Sequence, residues 1–159
     1  MIDPIDVIVT DTRKAAETLA ANLSAMPDDR QDWRPLDAGR SALDQVQECA
    51  VINDFCAAIL RDRKTPEGWS YDSYKAECAK LDTPTKAVQA LGEATERLAA
   101  AITAFPSDAL EIEVKLPFGD DFRASFLRVI LMPYYNMVYH TGQIAYIQTL
   151  YGDTQMHGM

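Results

Sequence analysis

Three features of the 159-residue sequence predict an all-α four-helix bundle. Four segments carry apolar residues at three- and four-residue steps, the spacing that places them on one helix face. The ends of these segments fall at residues that cap or stop helices. The connection between the second and third, residues 64–83, is long enough to run the length of a bundle. The helices on either side of it can therefore lie parallel rather than form a hairpin pair.

The first helix is carried by Ile5, Ile8, Thr12, Ala15, Leu19, Leu23 and Met26, and Pro27 stops the pattern. The second starts at Ser41, an N-cap with Asp44 three residues on in a variant of the capping box. Its stripe runs Gln45, Glu48, Ile52, Phe55, Ile59 and fades before Pro66-Glu67-Gly68. The third, from Pro84 to Phe105, has Thr83 as cap and proline in its first turn. The fourth runs from Ala124 to Leu150, with Gly152 where a left-handed cap is expected. Pro133 inside it predicts a kink rather than a boundary, because Val129, Pro133, Met137, Ile144 and Ile147 keep one phase. Two smaller elements are expected: a short helix around Ser70–Lys80, and a β-hairpin from Glu111–Lys115 and Asp121–Arg123 ahead of the last helix. No internal repeat or second domain is evident, so residues 1–159 read as one domain with 152–159 as its tail.

Composition narrows the function. The net charge of −9 argues against nucleic acid, which wants clustered Lys and Arg. The most apolar stretch, between Arg128 and His140, is interrupted by Asn136 and too short to cross a bilayer. The N-terminus carries acids where a secretory leader would carry basic residues. Cys49, Cys56 and Cys78 lack C-x-x-C spacing, which suggests reduced thiols and a cytoplasmic protein. Two histidines exclude any centre that needs three.

Chemistry gathers on two helices. Asn136 and His140, four apart, share the inward face of the last helix with Met137, Gln143 and Ile144. Glu48 lies in the apolar stripe of the second helix, and a carboxylate is seldom buried without a partner. It either reaches water or an arginine at the stripe's edge, or meets His140 as an ion pair or with a metal between them. Gln47 takes the inward place if the helix phase is off by one. Cys49, beside Glu48, is expected to be an unreactive thiol, because the neighbouring charge raises its pKa. His157 reads as part of a solvated terminus. Tyr134, Tyr135 and Tyr139 read as core and interface residues whose hydroxyls can also line a pocket beside His140.

These residues resemble the DinB-like superfamily, the helical-bundle group that includes YfiT-like metal-dependent hydrolases and thiol-dependent transferases. The matching residues are Asp32-Trp-Arg-Pro35, the helix start at Ser41, and Asn136-Met-Val-Tyr-His140-Thr-Gly-Gln-Ile144, followed by Tyr151-Gly152. The resemblance covers essentially the whole chain. It implies an up-down-down-up bundle and dimerisation through bundle helices. It also implies a small-molecule pocket lined by all four helices and the Trp33 loop, and a divalent metal held by histidines of the second and last helices. His140 stands at the family's final histidine, Asn136 where another would be, and Glu48 at the second-helix position. Glu48, Asn136 and His140 are thus the metal candidates (Zn, Ni, Mn or Fe), and Glu48 and His140 the catalytic ones. An asparagine amide is a poor ligand for such ions. Two readings follow. One is a metal-dependent hydrolase or thiol-dependent transferase acting on a small molecule. The other is a non-catalytic small-molecule binding or interaction module that has lost its metal site.

Overall fold

A computed structural model describes residues 3–158. Helix α1 spans Pro4–Ser24, α2 Ala42–Asp62, α3 Tyr71–Lys80, α4 Pro84–Thr103 and α5 Phe126–Thr149. A two-stranded antiparallel sheet, β1 Glu113–Lys115 and β2 Arg123–Ser125, pairs Val114 with Ala124 and leads directly into α5.

The helix starts follow capping chemistry. Asp3, Ser41, Ser70, Thr83 and Ser125 each accept a hydrogen bond from a backbone N–H of the first turn. At Ser70 and Ser73 the bonds are reciprocal. Ser41 is buried and holds the Asp44 N–H at 3.1 Å, so it fixes where α2 begins and the phase in which Glu48 follows. Replacing Ser41 with alanine should lower stability by about 1 kcal/mol, read as a shift in urea midpoint at unchanged m-value.

Two apolar clusters give the helix directions. One joins Leu19 and Leu23 at the end of α1, Val46 and Cys49 at the start of α2, Leu91 near the start of α4, and Ile144 and Ile147 at the end of α5. The other joins Val9, Ile59, Leu60, Ile102, Val129 and Ile130 from the opposite ends. Hence α1 and α5 run one way and α2 and α4 the other. This is the up-down-down-up bundle, and the segment carrying α3 is the long return it requires. Between the clusters lies a buried polar contact, in which the Asn53 amide donates to Thr95 Oγ1 across the parallel α2–α4 pair at 3.0 Å.

Helix α5 continues through Pro133, so no boundary forms there. The predicted stripe Val129, Pro133, Met137, Ile144 and Ile147 is buried as a set. After α5, Gly152 adopts a φ of 95°, as its place past the helix end demands. The tail differs from expectation. Instead of standing in solvent, it folds back on α1: Asn22 and Thr18 donate to the carbonyls of His157 and Gly158. His157 is partly buried and bonded to Asp153 at 2.9 Å. Glycine at 158 permits the close approach, because a β-carbon there would meet α1 at 2.9 Å. No described helix is long and apolar enough to cross a membrane.

Candidate functional site

The site lies where the first turns of α2 face the second half of α5. Glu48, two turns into α2, points across the interface, and its Oε1 lies 3.2 Å from His140 Nε2. Glu48, not Gln47, takes the inward place; Gln47 turns away to donate to the Leu81 carbonyl. His140 is buried, 3% exposed, so everything its ring touches matters. Nδ1 faces the side-chain oxygens of Gln45 at 2.9 Å and Gln143 at 2.8 Å. The Gln45 amide nitrogen donates to the Arg40 carbonyl, which leaves its oxygen toward the ring. Amide oxygens and carboxylates only accept. Nδ1 thus faces two glutamine side chains and Nε2 faces the Glu48 carboxylate, so both ring nitrogens are engaged by protein groups.

The arginine expected as an alternative partner for Glu48 is present as well, beside His140. Arg40, in the loop before α2, bonds Glu48 Oε2 and also holds Asp44 Oδ1 at 2.9 Å. Its placement comes from the Trp33–Pro35 element. Gly39 donates to the Pro35 carbonyl at 2.8 Å, and a β-carbon at Gly39 would meet that oxygen at 3.0 Å, so glycine lets the loop close tightly ahead of Arg40. Arg40, Asp44 and Glu48 fall at four-residue steps, but Arg40 precedes the helix, so helical spacing alone does not place it. Tyr74 from α3 adds a hydroxyl 3.4 Å from Glu48 Oε2.

The electrostatics follow. Burial pushes the Glu48 carboxyl up, but hydrogen bonds from His140 and Arg40 and the Arg40 charge outweigh it and bring the pKa to about 2. Burial lowers Arg40, yet its bonds to Asp44 and Glu48 leave it above its ordinary value. Tyr74 is raised by burial and then by the Glu48 charge. The Cys49 thiol is pushed well up by burial first and by Glu48 second, so it is inert, as expected.

Glu48 and Asn136 also border a cleft of about 920 Å³. It is walled by α2, the hairpin with its turn, and α5, and neither α1, α4 nor Trp33 lines it. Trp33 packs instead against the apolar cluster of the α1 end. This cleft therefore draws on two bundle helices and the hairpin, where a pocket lined by all four helices and the Trp33 loop was expected. Tyr134 is half-buried, but Tyr135 and Tyr139 are exposed and line the cleft rather than the core. The ring of Tyr139 meets His140 edge-on at 5.3 Å.

The fold has solved counterparts. Over 96% of this chain and 91% of the other, it superposes on YfiT from Bacillus subtilis with a TM-score of 0.78 at 16% identity. That protein is described as a probable metal-dependent hydrolase with an unusual four-helix bundle topology. The chain has the YfiT-like fold. Two structures of a mycothiol-dependent maleylpyruvate isomerase, one a histidine-to-alanine mutant, share it over 89% of this chain. Their TM-scores are 0.72 and 0.68 at 17% and 18% identity, and the chain spans 61% of their length. No protein-family model and no curated protein matches the sequence.

A YfiT-like fold raises the question of a metal, and the donor set answers it. Both His140 nitrogens are engaged by protein side chains, and Glu48 already has a guanidinium on its second oxygen. Asn136 turns its amide nitrogen toward Cys49 Sγ at 3.6 Å. Among the described residues, no three of His, Cys, Asp and Glu converge. Glu48, Asn136 and His140 border one region, but as placed they do not fit a resident divalent ion: a further cation beside Glu48 would meet Arg40.

Proposed function

We propose that the chain binds a small molecule in the α2–hairpin–α5 cleft and does so without a resident metal. The observation that carries this reading is the Arg40–Glu48–His140 network. Arg40 supplies Glu48 with the positive charge that a metal ion would otherwise provide. The cleft has the character of a ligand site, mostly apolar and aromatic with a few polar groups at its edge. A binding role suits the network better than catalysis. A carboxylate held at about 2 is a weak base, and the buried imidazole has both nitrogens engaged by neighbouring side chains.

The fold likeness favours a second reading, a metal-dependent hydrolase or a thiol-dependent transferase acting on a small molecule. Elemental analysis of protein purified without an affinity tag, followed by zinc, nickel and manganese titrations, separates the two. We expect no stoichiometric ion and no saturable binding of any of the three. One equivalent of tightly held metal would overturn the metal-free reading in favour of the second.

A further inference from the structure

The polar groups of the cleft are unevenly placed, and their placement specifies a ligand. Glu48 and Asn136 stand at one end; Arg123 and Arg128 stand toward the start of α5. Between them the wall is apolar and aromatic: Ile52, Leu131, Met132 and Tyr135, with Phe118 and Phe122 from the hairpin turn. Arg128 and Asn136 are eight residues apart on one helix, which separates them by about 12 Å along its axis.

One cation of the cleft is left without a partner. Glu48 is met by Arg40 from outside the cleft. Arg123 is likewise met by Asp121 of the exposed turn, at 3.6 Å. Arg128 has no carboxylate within ion-pair distance among the described residues, so it is the cleft's available cation.

Resting on the cleft as the ligand site, we propose that its ligand is an amphipathic carboxylate. The carboxylate pairs with Arg128, assisted by Arg123, and an aromatic or branched aliphatic body lies along Met132 and Tyr135. A hydroxyl or amine at the far end donates toward Glu48 and the Asn136 side chain. The Glu48 carboxylate accepts such a donor at that end. Guanidinium pairs a carboxylate through two parallel bonds, which makes this end the selective one.

The test uses 5-(4-hydroxyphenyl)pentanoate, which spans about the Arg128–Asn136 separation, and its carboxamide. Isothermal titration of the full chain should show the acid binding at least about tenfold more tightly than the carboxamide, despite the net charge of the chain. Arg128→Ala should remove that difference by weakening the acid alone, and Arg123→Ala should reduce it. Arg128 is exposed, so these variants should keep the wild-type fold. Equal binding of acid and carboxamide by the wild type would overturn the carboxylate assignment and leave the cleft as the ligand site. Failure of both to bind would overturn the cleft reading and the ligand class with it.

Discussion

Arg40→Ala should destabilise the protein by about 2–3 kcal/mol at neutral pH, and most of that loss should vanish when Glu48→Gln is also present. Removing one partner of a buried pair leaves the other charged and short of company, at about 3–5 kcal/mol when burial is complete. Glu48 is 21% exposed and Arg40 37%, so water and His140 absorb part of that loss, and the lower figure applies. Once glutamine stands at 48, alanine at 40 abandons no charge there. The double variant should therefore lose at least about 1 kcal/mol less than the sum of the singles. Urea melts of the four proteins close the cycle, and strictly additive losses would mean that the two side chains do not interact in solution.

The same carboxylate sets an acid limit. The Glu48 pKa falls from an ordinary 4.5 to about 2 in the folded chain. Its contribution to stability is complete above 4.5 and disappears as pH falls toward 2, where folded and unfolded chains bind the proton alike. The shift corresponds to about 3 kcal/mol. Between pH 4.5 and 2 the wild type should lose that much more stability than Glu48→Gln.

What the sequence revealed followed from how local each signal was. Helix starts depend on one cap and the three residues after it, so Ser41, Ser70, Thr83 and the position of Gly152 were legible. Glu48 and His140 were legible because a charged or ionisable side chain in an apolar stripe needs a partner, and the only question was which. Arg40 was hidden because its side chain is delivered by the 33–40 loop, whose closure depends on Gly39 lying against Pro35. Periodicity says nothing about such a loop. Asn136 was placed on the correct helix face, but its amide direction depends on Cys49 of another helix. The cleft was misjudged for a related reason. Apolar stripes do not distinguish a helix face that meets another helix from one left open beside a hairpin, so Tyr135 and Tyr139 read as core or interface with a pocket only as the alternative, and it is the pocket that they line. The tail on α1 is likewise a long-range contact, made by Thr18 and Asn22 to backbone groups that carry no sequence signature.

A metal centre should be recoverable by substitution, and this gives the sharpest separation between a site that lacks donors and one in the wrong place. Glu48 lies within 3.2 Å of the His140 ring, and position 136 is one turn from 140 on the same helix face. In the variant Arg40→Ala, Glu48→His, Asn136→His, three imidazoles converge and the competing guanidinium is gone. Three histidines and a water complete a tetrahedral zinc shell. The variant should bind zinc with a Kd of about micromolar or tighter, about −8 kcal/mol. Zinc at a hundredfold excess over Kd should raise its stability by about 2.7 kcal/mol, a thermal shift that needs no knowledge of substrate. Wild type and Arg40→Ala alone should show neither effect, because each still lacks imidazoles at 48 and 136. An equal zinc-induced shift in the wild type would mean that Glu48, Asn136 and His140 already hold the ion and that Arg40 moves aside for it. A folded triple variant that ignores zinc would mean that positions 48, 136 and 140 do not surround a common point. Zinc response confined to the triple variant would show that the bundle keeps the geometry of a metal site while its side chains, Arg40 first among them, occupy that site themselves.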